Sequence, residues 1–273
     1  MCSRMRKVPA SQGIQWITTA LRLFGRHFTV FFMLGLLLVL ISQIPYLGTI
    51  VILLLGPALL AGIVYAAAQA AQGARPGPGM LFKGFDGSHR LPSLVALCLP
   101  SIGLLLLIVI AFSGVMLSAV GHDPAKLQAM QSDPAAMLAL LRTHAVPLLV
   151  IVLAGALLNT ALTLFAVPQV MLRQQGGFAA MGQSLRAVWH NLGALALMML
   201  GLIALALLVS LLLTVLIAAG AALGAWWRLA LLVLFMALSY SYSAVLMFVA
   251  WRDVFADAAP PPPGATGMMH AEM

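Results

Sequence analysis

Residues 28–74 read FTVFFMLGLLLVLISQIPYLGTIVILLLGPALLAGIVYAAAQAAQGA, and none of these 47 positions holds Asp, Glu, Lys, Arg or His. A helix that crosses a hydrocarbon core about 30 Å thick needs about 20 apolar residues. As one straight helix this run would reach about 70 Å, so it must fold back. Ile44-Pro45-Tyr46-Leu47-Gly48 is the place, because proline removes a backbone donor and glycine permits a turn. The stretch therefore predicts two helices, about 28–43 and 49–71.

Four more uncharged runs follow: Leu91–Gly121, Ala145–Leu172, Asn191–Trp227 and Leu229–Trp251. The third of these is too short for two spans and a turn. It holds one helix and then a short reversal at the interface, Gly220 to Arg228. The expected fold is all-α: a polytopic integral membrane protein with six transmembrane helices, about 28–43, 49–71, 92–119, 146–171, 193–217 and 229–250. Residues 1–27 form a cytoplasmic N-terminus with an amphipathic interfacial helix, and 252–273, with Pro260–Pro263, a disordered cytoplasmic tail. The period-2 alternation of a β-barrel is absent, and lipid-exposed strand edges would leave backbone groups unsatisfied.

Composition points the same way. Apolar residues make up 63% of the 273 and charged residues 7%, against about 45–50% and about 25% in soluble domains. Mean hydropathy is +1.08. Such a chain cannot cover a water-facing surface. The first apolar run begins too late, and runs on too long, for a cleaved signal peptide, and reads as a retained anchor. Met5-Arg6-Lys7 makes as good an opening as Met1. Cys2 and Cys98 fit no metal or redox spacing.

The net charge of +8 is a topology signal. With both termini on one side, that side collects Arg4, Arg6, Lys7, Arg22, Arg26, Arg75, Lys83, Arg90, Arg173, Arg186 and Arg252. The other side collects only Lys126, Arg142 and Arg228. The bias puts both termini in the cytoplasm and favours an even number of spans. It offers no basic folded face to a nucleic acid.

Ahead of the first span, Ile14, Ile17, Leu21, Phe24 and Phe28 step by three and four and make one helical stripe, with Gln15, Thr19, Arg22 and Arg26 opposite. Ser11 is placed to cap this helix, which is expected to lie in the cytoplasmic interface with Trp16 among the headgroups. A shift of 164 residues brings the pattern back as Phe178, Met181, Leu185, Val188 and Leu192, with Arg186 on Arg22. A weaker third copy is Phe82-Lys83-Gly84-Phe85. The recurring unit is an interfacial helix followed by a two-helix hairpin.

Lys7-Val8-Pro9-Ala10, the Trp16 and Leu23-Phe24 helix, Gly56-Pro57-Ala58-Leu59-Leu60-Ala61-Gly62, Gly84-Phe85 and the closing Arg252-Asp253-Val254-Phe255 together resemble a family of uncharacterised six-span bacterial inner-membrane proteins. More distantly they are similar to the membrane region of some glycerophosphodiester phosphodiesterases. The resemblance covers most of residues 5–256 and implies an inner-membrane location. It carries over no catalytic residue.

No ionisable residue falls inside an expected span, which weighs against proton relays and intramembrane catalysis. Pro57, Pro100 and Pro168 are sites where helices break or kink. Gly155, Asn159 and Thr163 share one face of the fourth span. With Ser210, Thr214, Ser239 and Ser243 they read as a polar path or as a helix-packing face. Gly220 and Gly224 form a GxxxG at a span end, weak ground for dimerisation. Arg22, Arg26, His27, Arg90, Arg186 and His190 are candidate contacts for lipid headgroups. Asp123 and Asp133, each followed by proline, start short helices near Lys126–Met130 and Ala135–Arg142. No G-x-S-x-G, Walker or H-E-x-x-H motif is present.

The sequence thus points to a non-enzymatic component with no cofactor and no metal. Its expected partners are the lipid bilayer, anionic lipids, and a membrane-protein partner or second copy. The alternative is a small-solute transporter or channel.

Overall fold

The structure is a computed structural model that describes residues 5–87, 90–120, 134–220, 222 and 224–255. Expectations for Asp123, Asp133, Lys126–Met130 and the tail beyond Phe255 lie outside the described residues. The helices are α1 (Gln12–Arg26), α2 (Phe28–Ser42), α3 (Leu47–Ala71), α4 (Arg90–Ala96), α5 (Leu99–Val120), α6 (Pro134–Thr143), α7 (Ala145–Thr163), α8 (Ala166–Arg173), α9 (Gly177–His190), α10 (Leu192–Ala219) and α11 (Ala225–Val254). A 3-10 segment, Pro78–Phe85, lies between α3 and α4. The described residues contain no strand.

By length and composition five stretches can cross a membrane: Leu47–Ala71, Arg90–Ser118, Ala145–Arg173, Leu192–Ala219 and Ala225–Val254. A sixth joins if the bent pair α1 and α2 counts as one span. The protein is therefore an all-α, polytopic membrane protein. At 15 residues, α2 is about 22 Å long. Its packing against α11 shows how far it reaches. The Ser241 hydroxyl donates to Phe31 O (2.6 Å), and Gly35 faces Ala237. Carried along the antiparallel pair, this register sets Ser42 opposite Ala230, about 8 Å from the start of α11.

The turn after α2 falls where proline and glycine place it. Tyr46 takes φ 61° and stands exposed, and α3 begins at Leu47. Pro57 leaves α3 continuous, whereas Pro100 and Pro168 interrupt theirs. The expected helix 92–119 is α4 and α5, parted at Leu97–Cys98, and 146–171 is α7 and α8, parted at Leu164–Phe165. In each case the break begins at or next to the residue four before the proline, whose carbonyl the ring would strike. The Phe165 N–H released by the second break donates to the buried Ser184 hydroxyl (3.1 Å). The helix expected at 229–250 starts earlier, at Ala225, because Trp227 Nε1–H donates to Leu216 O (2.8 Å) and fixes its first turn. It ends later, at Val254, so residues 252–254 are helical rather than part of a disordered tail.

Two compact units emerge, one from the residues before Leu99 together with those from Thr163 on, the other Leu99–Leu162. In the first unit α1 meets α2 at 96°, as a helix lying along an interface would. Ser11 makes no side-chain cap. The first amides of α1 bond instead to the carbonyls of Pro9 and Ala10. The expected stripe of α1 divides into two. Gly13, Trp16, Ile17, Ala20 and Phe24 are buried against protein, while Ile14, Leu21 and Phe28 are uncovered. Trp16 is completely buried rather than among headgroups. Gly13 lets α1 approach α10 closely, and the Trp16 N–H finds an acceptor on α11.

The repeat seen in the sequence has a structural counterpart. α1 ends at His27 with φ −123° and ψ 35°, and α9 ends at Asn191 with φ −121° and ψ 26°. These residues are the same 164 positions apart, and each is followed at once by a long apolar helix. Gly13 and Gly177 correspond, and both press against another helix's backbone, Ala194 O and Ser93 O respectively. The third copy is the 3-10 segment rather than an α-helix, with Gly84 against Ala58 of α3.

Candidate functional site

The end of the first unit that carries α1, the 3-10 segment and α9 holds all of that unit's described charged side chains but one, Arg228 near the start of α11. Arg22 and Arg26 on α1 and Arg186 and His190 on α9 are exposed, while His27 and Arg90 are half-buried. The His190 ring nitrogen Nδ1 lies 2.8 Å from Arg186 O, one turn earlier. Lys83 pairs with Asp86 at 2.7 Å, and this hydrogen bond holds its ammonium above the usual lysine range. Neither α1 nor α9 contains a carboxylate.

Polar side chains beneath this belt tie the chain ends together. Asn191, almost fully buried, accepts from Val8 N–H through Oδ1 (2.8 Å) and donates through Nδ2 to the carbonyls of Arg6 (3.3 Å) and Ala187 (3.0 Å). Asp253 Oδ2 accepts from Gln12 Nε2 (2.8 Å) and Trp16 Nε1 (3.1 Å). Arg6 N–H donates to Val254 O (3.0 Å), so the two described ends lie side by side. None of these anchors was singled out by the sequence, though two lie in patterns noted there. Asn191 occupies the position of His27 in the repeat, and Asp253 sits in the closing Arg-Asp-Val-Phe. Gln169 and Ser184, both buried, carried no signal in the sequence.

The polar residues expected to line a path are placed separately. In the second unit Ser101 Oγ donates to Asn159 Oδ1 (3.1 Å), and Gly155 leaves room for the Leu104 side chain. Thr163 ends α7. On α10 the hydroxyls of Ser210 and Thr214 donate to Leu207 O (2.9 Å) and Ser210 O (2.8 Å). On α11 Ser243 donates to Ser239 O (2.7 Å). These last bonds stay within one helix rather than joining α10 to α11. Gly220 lies against the Trp227 ring.

Comparison of the chain with protein-family models, curated proteins and solved structures finds no match. What the fold defines is the class, an all-α polytopic membrane protein whose charged end is built from amphipathic elements.

Proposed function

We propose that the chain is a multi-pass protein of the bacterial inner membrane with both termini in the cytoplasm. It is a non-enzymatic component that acts by engaging anionic lipid, or a membrane-protein partner, at its cytoplasmic face. One observation carries the reading: the exposed cations of α1 and α9 gather, without carboxylates on either helix, at the end where Arg6 and Val254 pair. Juxtamembrane cations attract anionic headgroups by about 1 kcal/mol each, and the positive-inside bias sets the same end in the cytoplasm.

The test has two parts. Single cysteines at Gln72 and Gln183 should label from the cytoplasmic side and one at Ala225 from outside; the reverse pattern sinks the orientation. Protein purified in mild detergent should carry phosphatidylglycerol or cardiolipin above its membrane abundance. Replacing Arg22, Arg26 and Arg186 by Gln should reduce that excess several-fold, and an unchanged excess sinks the lipid reading.

The second reading, a solute path, is favoured by the Ser101–Asn159 hydrogen bond between α5 and α7. Asn159→Leu should then abolish flux in liposomes at normal expression, and normal flux removes that site.

A further inference from the structure

The uncovered faces of α1 and α9 carry an inference that rests on the lipid reading above. A helix packed on a protein ordinarily turns its large apolar side chains inward. α9 does the opposite. Its covered face is made chiefly of small residues, Gly177, Ala180, Ser184 and Ala187, with Met181 the one large side chain. Its uncovered face carries Phe178 at 70% exposure, Leu185 at 40% and Trp189 at 73%. These lie on one side of the helix and lead directly into Leu192, the exposed first residue of α10.

α1 repeats the outward stripe at the corresponding positions, although its covered face also holds Trp16, Ile17 and Phe24. Ile14, Leu21 and Phe28 are each more than a third exposed, and Phe28 is the first residue of α2. The α9 stripe is thus continuous with a helix long and apolar enough to cross a membrane, and the α1 stripe with the apolar α2. Both are flanked by exposed arginine, Arg22 and Arg186, and neither helix bears a negative charge. Apolar residues on one side with cations beside them fit the acyl boundary under an anionic headgroup layer.

We propose that α1 and α9 are a matched pair of wedges that insert their outward stripes into the acyl region of one leaflet, the cytoplasmic one. Each helix is about 22 Å long and about 10 Å wide, so each adds about 200 Å² to that leaflet, while among the described residues of the first unit the other end holds only the turns after α2 and α10. The protein therefore favours membrane that is convex on its cytoplasmic side.

The full-length protein is tested with Cys2→Ser, Cys98→Ala and a single Leu185→Cys carrying an environment-sensitive fluorophore. It is reconstituted into vesicles of phosphatidylcholine alone and of phosphatidylcholine with phosphatidylglycerol. The expected result is blue-shifted emission, quenched more strongly by a spin label high on the acyl chain than by one on the headgroup. Water-like emission in both vesicle types overturns the wedge. Insertion that is equal in both keeps the wedge and counts against the anionic-lipid reading, so the two failures are distinguishable.

The second measurement is the orientation of the protein in small sonicated and large extruded vesicles. Molecules with the charged end outward should be enriched several-fold in the small ones. The variant Phe178→Ser, Leu185→Ser, Trp189→Ser should lose that enrichment, as should Ile14→Ser with Leu21→Ser. Phe178 and Trp189 are mostly exposed, whereas Leu185, Leu21 and Ile14 are partly covered and Ile14 Cδ1 lies beside Gly201 of α10, so each variant is compared with the parent at matched helix content and micelle stability. Equal orientation in both vesicle sizes, or enrichment that survives both variants, overturns the proposal.

Discussion

Adding one methyl group at Gly13 should dislodge α1. A Cβ there would meet Ala194 O and come within 2.8 Å of Met198 N, both backbone atoms of α10. Backbone inside a helix cannot rotate away as a side chain can, so α1 must lift. Overpacking of this kind costs about 1–3 kcal/mol. The ceiling is complete loss of docking. Trp16 alone buries about 200 Å², worth about 5 kcal/mol if water replaced the protein and less at a lipid interface. Gly177→Ala should behave alike, since its Cβ would lie 2.5 Å from Ser93 O and 3.0 Å from the Ala96 side chain. Gly182 supplies the control. It sits within α9 with nothing within 4 Å of a new Cβ, so Gly182→Ala should gain about 0.5–1 kcal/mol from helix propensity. The assay is reversible unfolding in mixed micelles, with sodium dodecyl sulfate added to a mild detergent and helix content followed by circular dichroism. The prediction is a gap of about 2 kcal/mol or more between Gly13→Ala and Gly182→Ala. Equal midpoints would refute the close approach of α1 to α10 and the docking built on it.

Five further substitutions follow from the hydrogen bonds. Asn191→Leu should cost about 1–3 kcal/mol by stranding the Val8 amide, and that amide should lose its protection in hydrogen exchange. Asp253→Leu removes the acceptor of Gln12 and Trp16 and should cost a similar amount, with the segment before α1 becoming the first site of proteolysis. Ser241→Ala should cost about 1 kcal/mol through its bond to Phe31 O. Thr214→Ala and Ser243→Ala, whose hydroxyls bond within their own helices, should stay within about 0.5 kcal/mol of the parent in the same micelle titration.

The sequence is explicit about helices and nearly silent about which of their faces meet. Residues 28–74 settle the class because length without charge is a one-dimensional property, and Pro45 and Gly48 mark the fold-back. Proline positions were legible as candidate breaks, though not the difference between Pro57, which α3 accommodates, and Pro100 and Pro168, which end helices. The faces were not legible because lipid and protein interior are equally apolar. Ile14 and Ile17 look alike in sequence, yet Ile14 is uncovered and Ile17 buried. What separates them is the small residue beside the buried one, Gly13 or Ala20, which a hydrophobic stripe omits. The expected polar path suffers from the same blindness. Ser241, which binds α11 to α2, and Ser243, which bonds only to its own helix, are two residues apart on one strongly hydroxylated segment.

The docking order explains where the specific polar contacts are spent. The 3-10 segment packs on α3 of the preceding hairpin, α9 packs on α4 and α8 before it, and α1 packs on α10 and α11, late in the chain. The three elements thus form a closed cycle. Its joints differ in one respect, the length of chain each must gather. Docking the 3-10 segment on α3 closes a loop of roughly 20 residues, and docking α1 on α11 closes one of roughly 240; by the logarithmic cost of loop closure the difference is about 2 kcal/mol. That last joint holds the bonds between Gln12 and Asp253, Trp16 and Asp253, Val8 and Asn191, and Tyr242 and Ile17, with sequence separations of 241, 237, 183 and 225. At a net value of about 1 kcal/mol for each hydrogen bond, they offset the extra closure cost. At the shorter joints Gly84 and Gly177 let the backbones touch, and the α9 joint adds the Phe165–Ser184 bond, which spans only 19 residues. Unfolding that begins at either end of the chain should therefore open the α1 joint first. Hydrogen exchange should show the amides of α1 losing protection before those that follow Phe28.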